Sequence, residues 1–206
     1  MRIVCLSDTH AQNRKVVVPK GDILIHAVDI EALSIEMVED FAEWWLGLPH
    51  KYKVVIPGNH DLIMMHPVSL EICRDILEGT LLVDEGREIE ELRIWGSPWT
   101  PVFGDWAFMK PRSQMVKVWE KVPDKVDILV THGPPFGVLD RTEREWQNVG
   151  CESLREVVER VKPKIHVFGH IHEGYGEGRI GDTLCINVSV VNSTYFMENK
   201  PVVVDL

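Results

Sequence analysis

The sequence predicts an α/β protein built as a layered sandwich, and two observations lead to this fold class. Short apolar runs rich in valine and isoleucine alternate with amphipathic helical segments, which is typical of strands buried on both faces. Toward the C-terminus, further strand-like runs follow with few helices between them, which predicts a second, more antiparallel sheet. The first kind of run comprises "RIVCLSD", "DILIHAVD", "YKVVIPGNHD", "VDILVTHG" and "KIHVFGHIH", and the second comprises "TLLVDEG", "LRIWGSP", "TLCINVSV" and "KPVVVDL".

Three helices are predicted from apolar residues that recur at intervals of three and four. The first follows Ser34, a residue type that accepts hydrogen bonds at helix N-termini, and the second is "SLEICRDILEG", which ends at Gly79. The third ends before Pro163, because proline lacks the N–H that a continuing helix needs. The periodic apolar positions are Val38, Phe41, Ala42 and Trp45 in the first helix and Leu154, Val157, Val158 and Val161 in the third.

Composition is that of an ordinary globular protein. The 206 residues are 45% hydrophobic and 26% charged, which predicts one domain spanning residues 1–206. A net charge of −10 argues against non-specific binding to long nucleic acid or to an anionic membrane, but not against a small phosphorylated substrate. No apolar stretch approaches the roughly 20 residues of a membrane span, and the N-terminal "MRIVCLSDTH" does not resemble a signal peptide. Four separate cysteines without a CxxC pattern predict reduced thiols in a cytoplasmic protein, and the pattern predicts no oligomeric state.

Polar residues end each of the five runs of the first kind. Each residue alone is more typical of a turn, but five segments that deliver Asp, Asn or His to strand ends form a constellation. In open α/β sheets, ligands bind outside the carboxyl ends of the strands. The residues are Asp8 and His10, Asp29, Asn59 with His60 and Asp61, His132, and His170 and His172.

Asp, Asn and His side chains without cysteine are the donors that manganese, iron, zinc, cobalt or nickel prefer. There are too many donors for one ion, so we expect two ions that share the carboxylate of Asp29. Such a pair can hold a hydroxide and clamp a phosphoryl group for in-line attack. Two divalent ions carry four positive charges, and Asp8 and Asp29 cancel two of them. A hydroxide and a phosphodiester monoanion would cancel the remaining two, which favours diesters over dianionic monoesters.

The motifs "SDTH", the Asp29 segment, "GNHD", "THGPP" and "GHIH" resemble, in order and across the whole chain, the five signatures of the calcineurin-like metallophosphoesterases. The stretches "GSPWTPVFGDWAF", "HVFGHIHEGYG" and "VVVDL" further resemble the small MPPED-type subgroup. The resemblance implies a four-layer α/β/β/α sandwich of two mixed sheets flanked by helices. It also implies a phosphodiesterase acting on cyclic or other nucleotide diesters.

The resemblance assigns roles to individual residues of this chain. His60 contacts the phosphate or protonates the leaving group, and Asp61 orients His60. Manganese is the first expectation for the metal, with iron, zinc, nickel or cobalt as alternatives. One ion is assigned to Asp8, His10, Asp29 and His172, and the other to Asp29, Asn59, His132 and His170.

One residue departs from the resembled pattern, which has glycine before the bridging aspartate where this chain has Val28. Valine is stiff at χ1 and disfavoured at positive φ. Either the backbone keeps the glycine-type conformation under strain, or the strand end relaxes and tilts Asp29 away from one ion. The alternative functions are a phosphomonoesterase, including a protein phosphatase, and, because of Val28, a weakly active scaffold of the same fold.

Several other side chains are left open by the sequence. For Trp99 and Trp106 the alternatives are stacking on a nucleobase and packing against their Gly- and Pro-rich loop. For Arg141 and Arg144 the alternatives are contact with the substrate phosphate and a position on the surface. His26 and His166 lie within strands, which is more typical of core histidines or of residues that support metal ligands. These residues are Trp99, Trp106, Arg141, Arg144, His26 and His166.

Overall fold

The computed structural model describes residues 1–143 and 147–206. Its strands in chain order are β1 (Arg2–Leu6), β2 (Ile23–His26), β3 (Tyr52–Val55), β4 (Glu85–Ile89), β5 (Leu92–Ser97), β6 (Thr100–Pro101), β7 (Met109–Lys110), β8 (Ile128–Thr131), β9 (Ile165–Phe168), β10 (Gly176–Ile180), β11 (Thr183–Asn187) and β12 (Val202–Asp205). Its α-helices are α1 (Ile35–Gly47), α2 (Pro67–Ile76), α3 (Arg112–Trp119) and α4 (Glu152–Val161). Short 3₁₀ turns occupy Asn13–Lys15, Leu62–Met65 and His172–Gly174.

Ten of the twelve strands in the described residues form two mixed sheets, and β6 and β7 pair with each other in parallel as a separate short ribbon. The first has the order β12-β1-β2-β3, with β1, β2 and β3 parallel and β12 antiparallel to β1. The second has the order β10-β11-β9-β8-β5-β4. Its four central strands are parallel, and only its edge strands β4 and β10 pair antiparallel. The prediction of a more antiparallel second sheet is therefore wrong for its centre, and the C-terminal run "KPVVVDL" joins the first sheet instead.

Three apolar clusters hold four layers together. The facing sides of the two sheets share one cluster, which includes Ile3, Ile25, Val54 and Val130. A second cluster lies between the first sheet and α1 and α2, and a third between the second sheet and α3 and α4. The predicted α/β/β/α sandwich is thus confirmed.

The predicted helices form where the apolar spacing places them. Ser34 Oγ accepts a hydrogen bond from the Met37 N–H at the start of α1, as its N-cap position predicts. The third predicted helix, α4, ends at Val161, before Pro163 as predicted, and the following Lys162 has the left-handed conformation (φ 51°). Helix α3 was not predicted, because only three of its eight residues are buried and they carry a weak periodic signal.

The run "TLLVDEG" is not a single strand. Leu81 bridges to Val55 beside the first sheet, and β4 begins only at Glu85 in the second sheet. Between them Asp84 has a φ of 53°, which turns the chain from one sheet to the other. The four cysteines are free and buried. Among the helices of the described residues, none has the length and apolar character needed to cross a membrane.

Candidate metal centre

Both sheets deliver polar side chains to the same end of the sandwich. Asp8 and His10 follow β1, Asp29 follows β2, and Asn59 follows β3 in the first sheet. His132 follows β8, and His170 and His172 follow β9 in the second sheet. The carboxyl ends of these parallel strands therefore meet across the sandwich, as their positions in the sequence predict.

A first group of donors joins the ends of β1 and β9. Atoms of Asp8, His10 and His172 lie close enough to bind one ion. The His172 Nε2 atom is 3.7 Å from Asp8 Oδ1 and 3.4 Å from His10 Nε2. Asp8 is fully buried, so a charged partner is needed to offset the cost of its desolvation.

A second group joins the ends of β2, β3, β8 and β9. It comprises Asp29, His132 and His170, whose donor atoms also lie within range of a single ion. His132 Nε2 is 2.7 Å from Asn59 Oδ1 and 3.5 Å from Asp29 Oδ2. The structure thus brings together the four residues that the resemblance assigns to the second ion.

Asp29 lies between the two groups. Its Oδ2 atom is 3.5 Å from His132 Nε2 and 3.9 Å from His10 Nε2. Its other oxygen, Oδ1, accepts a hydrogen bond from the His60 backbone N–H at 2.9 Å. One carboxylate oxygen therefore faces both groups while the other is held by the "GNHD" loop.

The ring contacts of two histidines fit a cation site. The Nδ1 atom of His10 lies 2.9 Å from the Glu31 carboxylate and that of His172 lies 3.1 Å from the Asn192 carbonyl, and because both partners are acceptors, Nδ1 is the donor in each contact. A neutral ring protonated at Nδ1 presents a lone pair at Nε2. The Nε2 lone pairs of His10 and His172 then face each other at 3.4 Å, and a cation between them would be held by both. The Nδ1 bonds would be the outer contacts that orient these two histidines toward a metal.

The protonation equilibria of the cluster show the same need for positive charge. Burial, reinforced by the carboxylates of Asp8 and Asp61, raises the pKa of Asp29 well above its ordinary value. Burial also lowers the pKa of His170 well below its ordinary value, and the neighbouring His132 lowers it further. Neutral imidazoles are ready to bind metal, and a cation beside Asp29 would return its pKa to the acidic range.

Two glycines are required where the chain passes next to these carboxylates. A Cβ on Gly58 would lie 2.9 Å from the Asp29 backbone nitrogen and would overlap the Asp29 carboxylate. A Cβ on Gly169 would overlap Ser7 Oγ and Asp8 Oδ2. The glycines of "GNHD" and "GHIH" therefore serve close approach, a reason that the motif letters alone do not supply.

Val28 keeps the glycine-type conformation. Its φ is 97°, a value that β-branched residues rarely adopt. The side chain is 1% exposed and packs with Ala27 between the two sheets, so the usual in–out alternation of β2 breaks at this point. Of the two outcomes expected from the sequence, the structure shows the strained backbone.

The hydrogen bonds of Asp61 differ from the interpretation that it orients His60. Its Oδ1 accepts from the N–H groups of Ile30 (3.2 Å) and Ala32 (2.9 Å), and its Oδ2 accepts from Gly58 at 2.8 Å. Within the described residues, the carboxylate beside the His60 ring is instead Glu31. Asp61 is better placed to fasten the Asp29 loop to the "GNHD" loop, because a buried carboxylate needs several donors.

The His60 ring is held from three sides. Its Nδ1 atom is 3.4 Å from Glu31, and its face stacks on Trp106 with ring centroids 4.5 Å apart. The His10 ring meets it edge-on at 4.8 Å. Glu31 was missed in the sequence, although it follows Asp29 by two residues, the same interval that separates the paired donors Asp8 and His10.

An open cavity of about 580 Å³ lies over the donor groups. Asp29, Asn59, His60, His170 and His172 line it on the protein side. Aromatic side chains stand at its rim and are partly exposed, namely Phe103 (61%), Tyr195 (46%) and Trp106 (42%). A volume of this size lies in the range of small-molecule sites.

The residues that the sequence left open fall on different sides of this cavity. Trp106 lines it, whereas Trp99 donates to Asp84 Oδ2 at 3.0 Å and carries Lys110 over its ring at 4.0 Å. Arg141 donates to Asn148 Oδ1 on the surface at 3.2 Å, and Arg144 lies outside the described residues. Arg112, which was not singled out in the sequence, is the arginine found among the described cavity-lining residues.

A layered α/β/β/α sandwich with oxygen and nitrogen donors gathered at the strand ends of both sheets is typical of metal-dependent hydrolases. A family model described as calcineurin-like phosphoesterase matches residues 1–174, and the chain belongs to this family. The resemblance seen in the motifs is thereby confirmed, and the protein is a metal-dependent phosphoesterase by class.

Similar proteins span the full chain. The sequence is 41% identical to metallophosphoesterase domain-containing protein 1 of Homo sapiens and of Mus musculus, over 100% of this chain and 71% of each relative. It is 35% identical to the UPF0046 protein K07C11.7 of Caenorhabditis elegans, over 98% of this chain and 74% of that protein. A solved structure of TT1561 from Thermus thermophilus shares the fold, with a TM-score of 0.59 over 90% of this chain and 88% of that chain at 11% identity.

Proposed function

We propose that the protein hydrolyses small phosphodiesters with two divalent ions, and that nucleotide or cyclic nucleotide diesters are its substrate class. The observation that carries the proposal is the arrangement of two donor groups around one shared carboxylate, Asp29, on the floor of an open cavity. Two bound divalent ions would supply a nucleophilic water at neutral pH and neutralise phosphoryl charge. Manganese is the first ion to test, with iron, zinc, nickel and cobalt as the alternatives that the donor set permits.

The charge of the cavity wall supports a diester. Arg112 donates to the carbonyls of Val149 and Gly150 at 2.8 Å each and pairs with Glu152, so little of its charge is left for substrate. Glu173 also lines the cavity and adds negative charge. A phosphomonoester dianion would need further cations, whereas a diester monoanion balances the two-ion site without them.

His60 is placed to serve the leaving group. Because its Nδ1 atom faces Glu31, Nε2 is the ring nitrogen available to a ligand in the cavity. A protonated His60 would donate its Nε2 proton to the departing oxygen, and the Glu31 carboxylate stabilises the cationic ring. The stacked Trp106 fixes the plane of the ring, so the proton is delivered in one direction.

The aromatic rim supports a substrate with a planar group. Phe103 and Tyr195 are partly exposed beside the metal-ligand candidates, and aromatic faces stack on nucleobases with little sequence preference. Trp106 already stacks on His60, and Tyr195 meets the rings of His10 and His172 at steep angles. Phe103 is the most exposed of the three, so it is the ring we assign to the base.

The test is a matched panel measured with the same Mn²⁺ concentration. We expect bis-p-nitrophenyl phosphate to have a higher kcat/KM than p-nitrophenyl phosphate, and the reverse order would establish the phosphomonoesterase. Thymidine 5′-p-nitrophenyl phosphate should have a higher kcat/KM than methyl p-nitrophenyl phosphate. Because both esters release the same leaving group, the difference reports on binding of the nucleoside. Phe103→Ala should remove that preference without changing turnover of the methyl ester. Two bound ions with no turnover of any ester would indicate the scaffold instead.

A second arm tests His60. General-acid help is worth about 10²–10⁴-fold where the leaving group needs it. His60→Ala should therefore slow an alkyl diester far more than a p-nitrophenyl diester. Equal losses on both would make His60 a phosphate-binding residue.

A further inference from the structure

A fully buried histidine at the end of β2 uses both of its ring nitrogens. The Val28 backbone N–H donates to His26 Nδ1 at 3.1 Å. The other nitrogen, Nε2, lies 3.2 Å from Thr9 Oγ1. Neither contact belongs to the pairing of the strands, and neither partner is a metal-ligand candidate.

The protonation state of this ring follows from its contacts. Because Nδ1 accepts a hydrogen bond from a backbone amide, it carries no proton, and a neutral ring must then carry its proton on Nε2 and donate it to Thr9 Oγ1. Burial lowers the pKa of His26 to about 3, which agrees with a neutral ring. The rings of Phe41 (5.5 Å) and Trp45 (6.0 Å) in α1 meet it edge-on and fix its position.

The two partners of His26 lie inside the ligand-bearing loops. Thr9 separates Asp8 from His10, and Val28 directly precedes Asp29. The loops are also joined by their backbones, since the Asp8 N–H donates to the Val28 carbonyl and the His10 N–H donates to the Asp29 carbonyl at 3.0 Å. His26 therefore connects the segments that carry three of the predicted metal ligands.

These loops need to be held. Positive φ angles occur at Asp8 (55°), His10 (41°), Val28 (97°) and Asp29 (50°), and such conformations persist only when surrounding contacts enforce them. The positive φ of Val28 is the most unfavourable of the four, because valine is β-branched. The backbone N–H of this same residue donates the hydrogen bond to His26 Nδ1. A contact that fixes this amide fixes the direction in which Asp29 leaves the strand.

We propose that His26 is a positioning residue that clasps the two ligand-bearing loops and holds Val28 in its positive-φ conformation, so that Asp29 reaches both ion sites. The proposal rests on the two-ion function proposed above for this site. A second buried histidine, His166, differs from His26 in its contacts, as expected of a residue that only fills the core. His166 lies 2.8 Å from Thr131 through Nε2, but its buried Nδ1 has no partner among the described residues.

The experiment compares His26→Leu, His26→Asn and a control, His50→Gln. His50 is 4% exposed and lies near the Pro19 carbonyl (2.9 Å from its Nε2), before β3 and away from the strand ends that carry the ligands. Asparagine can place its Oδ1 where Nδ1 of histidine lies and still accept from the Val28 amide. Removing contacts that orient metal ligands typically costs about 10–100-fold in metal affinity.

Amide hydrogen exchange of the metal-free proteins is the first readout. We expect the amides of Asp8 and Val28 to exchange at least tenfold faster in His26→Leu than in wild type, and near the wild-type rate in His26→Asn and His50→Gln. This readout involves no ion, so it tests the clasp even if the two-ion function fails. Unchanged exchange at both amides in a folded His26→Leu protein would overturn the proposal.

Mn²⁺ titration is the second readout. The dissociation constant of the more weakly bound Mn²⁺ ion should rise by about tenfold or more in His26→Leu. In His50→Gln it should stay within twofold of the wild-type value. In a Val28→Gly background the same His26→Leu change should cost less than threefold, because glycine needs no contact to hold positive φ. An equal loss in both backgrounds would show that His26 does not act through Val28. If His26→Leu does not fold, His26→Phe replaces it, because a ring of similar shape without Nδ1 likewise leaves the Val28 amide without its acceptor.

Discussion

Replacing Val28 by glycine separates the stability of the fold from the quality of the metal site. The substitution removes a β-branched side chain from a residue whose φ is 97°. A residue held in such a sparsely populated region costs of order 1–3 kcal/mol, and glycine adopts it without that cost. Since Val28 precedes Asp29, the relieved strain is strain in the conformation that presents the shared carboxylate.

The same substitution also removes buried surface. Val28 is 1% exposed and packs between the two sheets, and burial of a valine side chain contributes about 1.5–3 kcal/mol. Glycine adds about 0.5–1 kcal/mol of entropy to the cost of folding. The free energy of unfolding should therefore change little or fall by about 1–3 kcal/mol, and a fall of that size lowers the Tm of a chain of this length by about 2–12 °C.

The metal site should change in the opposite direction. If the metal-free loop relaxes away from the strained conformation, glycine stabilises the binding-competent state by part of the 1–3 kcal/mol, and Mn²⁺ binds on the order of tenfold more tightly. We expect Val28→Gly to raise diester turnover most clearly at limiting Mn²⁺, because more of the protein then holds both ions. A gain confined to limiting metal places the cost of valine in ion binding, whereas a gain that persists at saturation places it in the chemical step.

Val28→Ala is the matched control for this experiment. Alanine shortens the side chain as far as Cβ but keeps the Cβ that disfavours positive φ. It should therefore lose stability without gaining the full ion affinity of the glycine variant. Titration calorimetry with Mn²⁺ and diester hydrolysis over a range of Mn²⁺ concentrations measure both effects. If glycine improves neither quantity, or alanine improves them equally, the strain at Val28 is unrelated to the metal site.

Three further outcomes are expected. Elemental analysis after reconstitution should give two ions per chain, with activity abolished by exhaustive chelation; one tightly held ion, or activity that survives, contradicts the two-group site. Gly169→Ala should lower Mn²⁺ occupancy with only a small fall in Tm, because its Cβ would overlap Asp8 Oδ2 and Ser7 Oγ. Calorimetric Mn²⁺ titration measures the occupancy, and a titration identical to that of wild type would contradict this prediction. Burial lowers the pKa of His166 to about 3, so the unfolded chain binds the extra proton below pH 6.5 and stability falls as the pH drops from there toward 3. Between pH 7.5 and 5 the loss attributable to His166 is about 2 kcal/mol, and urea unfolding of metal-free His166→Gln should show a correspondingly smaller pH dependence.

The positions of the strands and of the donors could be predicted from local sequence. Val- and Ile-rich runs indicated the buried strands, and polar residues at their ends indicated a metal site, because side-chain chemistry and strand ends are both legible along the chain. The prediction placed Asp8, His10, Asp29, His132 and His172 at one common edge. The structure brings them together from the strand ends of two sheets rather than one.

Contacts between distant segments were beyond this reasoning. The sequence suggested that Asp61 orients His60, yet Glu31 lies beside that ring, because the left-handed turns around Asp29 bring residue 31 back over the site. Trp99 and Trp106 were equivalent in the sequence, and only the path of their loop assigns one to Asp84 and the other to His60.

What the sequence by itself determined about this protein is its fold class, its family and the set of donors, because these depend on residue types and their local spacing. What only the tertiary structure decided is which side chains touch. Hydrogen bonds such as that between Val28 and His26 depend on backbone angles, and pairs such as Gly169 and Asp8 depend on how two sheets approach each other. Neither the angles nor the approach is encoded in a local pattern, since both are set by the packing of the whole sandwich.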